Sequence, residues 1–330
     1  MASERASIAC LGAGRMGRGI AVQFAYAGHD VVLLDAKPRA PEAFEALRRE
    51  ALAEIGGALH TLGELGLFDS ARTDALLARV HVAPDAEAAE VLAGAGIVFE
   101  GVPEILDLKR DMLARASALM APEAILASTT STILVDDLSP SVVGPERFLN
   151  AHWLNPAYII PLVEVSPGRG TAPEVVARLN TVLESVGKVP VTCAASPGYI
   201  VPRIQTLAMN EAARMVEEGV ASAEDIDKAV RYGFGFRFGV LGMLEFIDWG
   251  GGDILYHASR YLIGALGHER YRAPEVIERN MREGRIGLRT GQGFLDYAGR
   301  DLDSYRRQRL GALVERLRAE GLAKPPVLPD

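Results

Sequence analysis

Cysteine is nearly absent from this chain, with two residues, Cys10 and Cys193, among 330. Two thiols without C-x-x-C spacing form neither a disulfide framework nor a zinc site, and a chain so poor in cysteine suits a reducing cytoplasm. No metal site is expected. Long apolar runs are missing too. The stretch with least charge, 148–163, contains His152, Asn155, Pro156 and Pro161 and is too short to span a bilayer, so no membrane contact is expected. Positive charge is in deficit, with 35 Lys and Arg against 43 Asp and Glu and a net charge of −8. With no basic cluster, a nucleic-acid surface is not expected, although a local basic pocket for an anionic substrate remains compatible. Residues 1–5, Met-Ala-Ser-Glu-Arg, lead directly into an apolar run, and no signal peptide is expected. Repeats and low-complexity segments are also lacking. The remaining composition is ordinary for a globular protein, 49% hydrophobic and 24% charged. The length suits two domains of ~150 residues each.

The most informative stretch that is present runs from Ile8 to Asp35. An apolar run, Ile8 to Leu11, meets Gly12, Gly14 and Gly17, and a helical pattern continues through Ile20, Val22 and Phe24. A second apolar run, Val31 to Leu34, ends in Asp35. Gly12 permits the tight turn out of a strand, Gly14 lets backbone approach a pyrophosphate, and Gly17 lets the helix pack close to the sheet. The helix N-terminus, with Arg15 and Met16 in its first turn, offers free N–H groups and a positive dipole end. Asp35 stands where a carboxylate accepts hydrogen bonds from a ribose diol. Strand, glycines, helix and acidic residue together predict dinucleotide binding. NAD is the expected cofactor, because a 2′-phosphate would face the Asp35 carboxylate, although Lys37 and Arg39 nearby soften that repulsion for NADP.

Further along, 41–79 has a helical pattern too long for one crossover and is expected to form a helix pair projecting from the sheet. Short apolar runs at 80–82, 97–102, 124–127, 148–153, 159–165 and 189–193 alternate with helical patterns at 108–120 and 173–186. Alternation of this kind predicts an α/β fold, a doubly wound and mostly parallel Rossmann sheet. Beyond Ala195-Ser196-Pro197-Gly198 the periodicity becomes helical. The expected organisation is a dinucleotide-binding domain over 1–196 and an all-helical domain over 197–330. In the tail, Leu310, Leu313, Val314 and Leu317 form an apolar stripe on a charged helix, read either as packing on its own domain or as a subunit contact.

A second chemical signal follows the sheet. Glu164 lies inside an otherwise apolar run, where a buried carboxylate needs a partner. His152, at the end of the preceding run and joined to it through the turn-forming Asn155-Pro156, is the natural candidate. A carboxylate that holds one imidazole nitrogen leaves the other free as a general base. Taken alone this pattern also describes a structural His–Glu pair; the dinucleotide fingerprint upstream favours the catalytic reading. The other histidines, His29, His60, His81, His257 and His268, are placed in turns or on polar faces and receive no role.

With these residues in view, the chain resembles the NAD-dependent 3-hydroxyacyl-CoA dehydrogenase family from Ile8 to about Tyr297. The markers are Gly-Ala-Gly-Arg-Met-Gly, Ser-Thr-Thr-Ser-Thr at 128–132, His-Trp-Leu-Asn-Pro, Pro-Leu-Val-Glu-Val, Ser-Pro-Gly-Tyr-Ile-Val at 196–201, Ala-Ser-Ala-Glu-Asp-Ile-Asp-Lys-Ala at 221–229 and Arg-Thr-Gly-Gln-Gly-Phe at 289–294. The resemblance implies His152 as base, Glu164 as its orienting partner, and Ser131 as hydrogen-bond donor to the reacting oxygen. It also implies Asn155 beside nicotinamide and substrate, and Glu104 and Lys109 at positions that contact the cofactor. It further implies a role in fatty acid metabolism and a homodimer formed through the helical domain. The competing class is a cofactor-binding relative without catalysis, against which the intact Ser131, His152, Asn155 and Glu164 set argues.

Two departures bear on the substrate. Pro202-Arg203 stands where the family usually has asparagine followed by arginine, removing one polar contact, and Thr206, one turn on, is expected nearest the same face. Family members acting on CoA thioesters carry lysines and serines on the helix pair; here 53–67 has no lysine or arginine, and only Arg48 and Arg49 lie nearby. The expected reaction is reversible oxidation of the 3-hydroxyl of an L-3-hydroxyacyl-CoA of the 3-hydroxybutyryl type, slightly ahead of a free hydroxy acid as in gulonate and carnitine dehydrogenases.

Overall fold

The structure, a computed structural model, describes residues 7–327. The expectation about residues 1–5 therefore lies outside the described residues, as does the very end of the tail. The described chain divides into two compact units, which meet in sequence between residues 208 and 209.

The first unit runs β1 (Ile8–Leu11), α1 (Arg15–Tyr26), β2 (Val31–Leu34), α2 (Pro41–Glu64), α3 (Thr73–Leu77), β3 (Val80–Ala83), α4 (Ala88–Gly94), β4 (Ile97–Glu100), α5 (Leu106–Leu119), β5 (Ile125–Ser128), α6 (Val135–Leu138), β6 (Phe148–Trp153), β7 (Leu162–Pro167), α7 (Pro173–Ser185) and β8 (Val189–Thr192), and ends in the first half of α8 (Val201–Glu217). Eight strands form one sheet in the order β3-β2-β1-β4-β5-β6-β7-β8. Every pairing is parallel except β6 with β7. The chain moves outward from β1 through β2 to β3, then returns to place β4 on the other side of β1. That reversal opens a crevice beyond the carboxyl ends of β1 and β4, where ligands bind in open α/β sheets.

Helices cover both faces, which explains why the central strands read as continuous apolar runs rather than alternating ones. One face buries Ile20, Phe24, Ile55, Leu59, Trp153 and Leu179. The other buries Leu92, Val98, Leu113, Leu126, Leu138 and Phe148. Cys10 is fully buried in β1, and burial pushes its thiol up to about 12, so it packs as a small apolar residue. The long helical region resolves into α2 and the shorter α3, as its length requires. The run 159–165 becomes a strand only from Leu162, because Pro156 and Pro161 lack the N–H that a ladder needs. His29, expected in a turn or on a polar face, is buried edge-on against Phe24 with ring centroids 5.4 Å apart.

The second unit is helical: the rest of α8, α9 (Ala223–Ala229), a π-helical stretch at Val230–Gly235, α10 (Phe236–Phe238), α11 (Met243–Gly250), α12 (Gly252–Leu266), α13 (Glu275–Arg282) and α14 (Leu302–Ala319). Its hub is Asp248, 2% exposed, whose carboxylate accepts from Phe294 N at 2.9 Å, Leu295 N at 2.8 Å and the Tyr297 hydroxyl at 3.2 Å. A Cβ at Gly287 or Gly293 would collide with Asp248 atoms at 2.3 and 2.0 Å. The Arg-Thr-Gly-Gln-Gly-Phe segment thus wraps a buried carboxylate, which makes it a fold device. Helix α14 is capped by Asp301 and meets α11 through Arg309 Nε on Glu245 Oε1 at 2.7 Å. Leu310 and Val314 of its stripe remain exposed.

Candidate active site

The glycine turn has the geometry its residues suggested. Gly12 has φ +115°, a conformation that favours glycine, and a Cβ there would stand 3.0 Å from Gly101 O across the β1–β4 crevice. A Cβ at Gly17 would lie 2.2 Å from Gly12 O, so α1 sits against the strand end only because residue 17 has no side chain. Gly14, the N-cap of α1, has open space where a Cβ would point. Beside this turn lies a cavity of about 410 Å³ lined by Gly12, Gly14, Asp35, Arg39, Val102 and Met112, among others. These features fit a dinucleotide: an open backbone approach at a helix N-terminus, and a carboxylate at the tip of β2. Asp35 is 3% exposed and its Oδ2 accepts from Arg39 Nε at 2.6 Å. A second phosphate on the ribose would still meet that carboxylate, with Arg39 already committed to it.

Across the crevice, β6 and β7 form an antiparallel pair in which His152 stands directly opposite Glu164. Cross-strand neighbours share one face, so the hairpin sets the pair without further adjustment. His152 Nδ1 donates to Glu164 Oε2 at 2.8 Å, the tautomer required by an acceptor-only carboxylate. Glu164 is fully buried, and its Oε1 accepts from Ile200 N at 2.9 Å and Val201 N at 2.8 Å, at the start of α8. Three donors therefore satisfy the carboxylate that the sequence left looking costly. The imidazole stacks on the Tyr199 ring, 4.9 Å between centroids and 6° between planes.

His152 also lines a cavity of about 380 Å³ together with Arg15, Met16, Glu104, Lys109, Ser131 and Asn155. The structure thus brings His152, Ser131 and Asn155 to one cavity next to the glycine turn, with Glu164 buried behind the imidazole and outside the lining. Within it, Glu104 Oε1 accepts from the Thr130 hydroxyl, Ser131 N at 3.1 Å, Thr132 N at 3.0 Å and the Thr132 hydroxyl at 2.8 Å. Burial acts to raise the Glu104 carboxyl, but the Thr130 and Thr132 bonds and the Lys109 charge outweigh it and hold it below its ordinary value. Lys109 is 1% exposed; its Nζ reaches Glu100 Oε1 at 2.9 Å, Glu100 Oε2 at 3.1 Å, Val102 O at 3.2 Å and Glu104 Oε2 at 3.5 Å. Lys109 and Glu104 thereby fix the 130–132 segment that carries Ser131.

Several residues here went unremarked in the sequence. Glu100 ends the apolar run of β4 and is fully buried, accepting also from Ser128 Oγ at 2.6 Å; a carboxylate closing a core strand was the available signal. Tyr199 supports the imidazole while its hydroxyl donates to Thr130 O at 2.9 Å, from a backbone φ of +44°. Nothing local marked it beyond its place after Gly198. Pro202 does line the cavity in the first turn of α8, but its companion is Gln205, one turn on. Thr206, expected nearest that face, does not line it.

The match with known proteins covers most of the chain. Residues 7–196 match the model of the 3-hydroxyacyl-CoA dehydrogenase NAD binding domain, and 198–297 match that of the C-terminal domain. The chain belongs to the 3-hydroxyacyl-CoA dehydrogenase family. It is therefore an NAD-dependent dehydrogenase of the 3-hydroxyacyl-CoA type. Among relatives of this dehydrogenase, the 5-formyl-3-hydroxy-2-methylpyridine 4-carboxylate 5-dehydrogenase of Mesorhizobium japonicum is 32% identical over 93% of this chain and 96% of its own. The L-carnitine dehydrogenase of Pseudomonas putida is 31% identical over 96% and 95% respectively. A solved 3-hydroxyacyl-CoA dehydrogenase from Archaeoglobus fulgidus superposes with a TM-score of 0.74 at 32% identity, covering 96% of this chain and all of its own. Among the described residues of the dehydrogenase, no cluster of His, Cys, Asp and Glu is arranged to hold a metal ion, and no helix is long and apolar enough to cross a membrane.

Proposed function

We propose that this enzyme reversibly oxidises the 3-hydroxyl of an L-3-hydroxyacyl compound to the ketone, with a CoA thioester of the 3-hydroxybutyryl type as substrate. The observation that carries the reading is the buried Glu164–His152 pair, with its second imidazole nitrogen left for a cavity shared with Ser131 and Asn155. His152 Nε2 takes the hydroxyl proton. Glu164, which accepts from the Ile200 and Val201 N–H groups and is bonded to Nδ1, stabilises the imidazolium that forms. Ser131 donates a hydrogen bond to the reacting oxygen, and Asn155 orients the carbinol. Bound NAD supplies the acceptor for the hydride that leaves the carbinol carbon. The residues that would hold it are read as Gly12, Gly14, Arg15, Met16 and Gly17 at the pyrophosphate, Asp35 at the ribose, and Glu104 and Lys109 as further cofactor contacts.

A free hydroxy acid is the second reading, and helix α2 favours it. A groove of about 660 Å³ beside the cavity is lined by Arg15, Glu54, Thr61, Leu65, Tyr158 and Ile159, among others. Its Arg18 is already bound to Glu50 and Glu54, and Arg48 is paired with Glu45 at 2.7 Å. With Arg15 read at the NAD pyrophosphate, that leaves Arg49 of the helix pair for the phosphates of CoA, each of which gains from charge-assisted bonds. Oxidation of NADH with acetoacetyl-CoA, compared with free acetoacetate and a panel of keto acids, tests the choice. A higher kcat/KM for the thioester is expected, and a higher value for a free acid replaces the first reading with the second.

The same reading assigns 1–196 to NAD binding and 197–330 to substrate contact and dimerisation, in a cytoplasmic homodimer acting in fatty acid metabolism. Support for the dimer comes from α8, in which no residue is buried, and from exposed Leu207, Met209, Ile254 and Tyr261.

A further inference from the structure

Lys188, between α7 and β8, is a buried ammonium that no carboxylate among the described residues neutralises. It is 5% exposed, and burial alone pushes it down to about 8, so it keeps its proton at neutral pH. Its Nζ donates to Ala157 O at 2.6 Å and Ile160 O at 3.0 Å and lies 5.5 Å from the Trp153 ring centroid. A buried charge without a counter-ion costs free energy that an apolar side chain of similar length would avoid.

What the charge holds is the segment 154–161 between β6 and β7. Prolines at 156 and 161 deny that segment a regular ladder, so its carbonyls need donors from elsewhere. Ile159 N and Ile160 N take Pro156 O, both at 2.9 Å, and Val189 N takes Pro161 O at 2.8 Å. Lys188 supplies two more bonds, to the carbonyls on either side of Tyr158 and Ile159. Asn155, at one end, lines the catalytic cavity, and Tyr158 and Ile159 line the adjacent groove. Ala157 meanwhile rests against α1, where a Cβ on Gly19 would come within 3.1 Å of its own.

We propose that Lys188 is a positioning residue for the reaction: its ammonium clasps the Ala157 and Ile160 carbonyls and so holds Asn155 and the Tyr158–Ile159 wall against the substrate. This rests on the reading of the His152 cavity as the active site. Lys188 does not touch the reacting atoms.

The test compares wild type with Lys188→Met and Lys188→Arg by melting, NADH affinity, amide exchange across 154–161 without substrate, and turnover of acetoacetyl-CoA. Lys188→Met is expected to melt at or above the wild-type temperature and to bind NADH normally. Its amides at 157–160 should exchange about ten-fold faster, and kcat/KM should fall about 10- to 100-fold, the scale of a displaced substrate contact. Lys188→Arg should recover part of both losses. Wild-type exchange and kinetics in Lys188→Met overturn the proposal. A Lys188→Met chain that fails to fold, or loses NADH binding in step with turnover, assigns Lys188 to stability and overturns it equally. Should wild type leave acetoacetyl-CoA untouched, the functional reading alone fails, and amide exchange still decides whether Lys188 holds the segment.

Discussion

At the residue scale, Glu164 is the side chain whose pairing most shapes the chemistry. Its three partners are a cross-strand imidazole and two amides at the start of α8, and none of the three is adjacent to it in sequence. The carboxylate's misfit among apolar neighbours was legible in the sequence, and so was the histidine one run earlier, because hairpin registers oppose such positions. The amides were not legible, since they come from residues 36 and 37 positions further along. Removing the imidazole by His152→Ala should lower turnover by roughly 10²–10⁴-fold, with NADH affinity nearly unchanged when followed by cofactor fluorescence. Glu164→Gln should also impair turnover by releasing the imidazole orientation. Wild-type turnover in His152→Ala would remove the base assignment.

At the element scale, the join of β1 to α1 sorts three glycines by physical task. Gly14 adopts an extended backbone with φ −84° and ψ −176°, which any residue tolerates, and its missing side chain faces open space. Gly14→Ala is therefore expected to leave the melting temperature of the free protein unchanged while weakening NADH binding about ten-fold or more, through the loss of backbone approach to the pyrophosphate. Gly17→Ala drives a methyl into Gly12 O and should destabilise the fold by about 1–3 kcal/mol, visible in melting without any cofactor. Equal melting losses in both variants would contradict this division. The hairpin segment shows the complementary limit of sequence reading. Apolar residues 159–161 matched a strand pattern, yet the two prolines and the Lys188 clasp keep them in a loop, and the clasp depends on a lysine from another element.

At the scale of the whole molecule, α8 exposes apolar side chains along its length. Burial of such a face against a second copy would account for it. Sedimentation is expected to show twice the chain mass, and Leu207→Glu should shift the population toward monomer; a wild-type monomer at micromolar concentration would refute the dimer. The alternation of apolar runs with helical stretches determined the doubly wound sheet, and the glycine pattern with Asp35 determined the cofactor. Both are local regularities that survive in one dimension, because period and turn chemistry are properties of neighbouring residues. Tertiary structure alone decided that Gln205 rather than Thr206 meets the cavity beside Pro202, that Glu100, Lys109 and Glu104 brace the Ser131 segment, and that the 289–294 motif wraps Asp248. These depend on which distant segments the sheet brings together and on which donors are left over once its ladders are complete. Such matters are settled by packing and hydrogen-bond satisfaction in three dimensions.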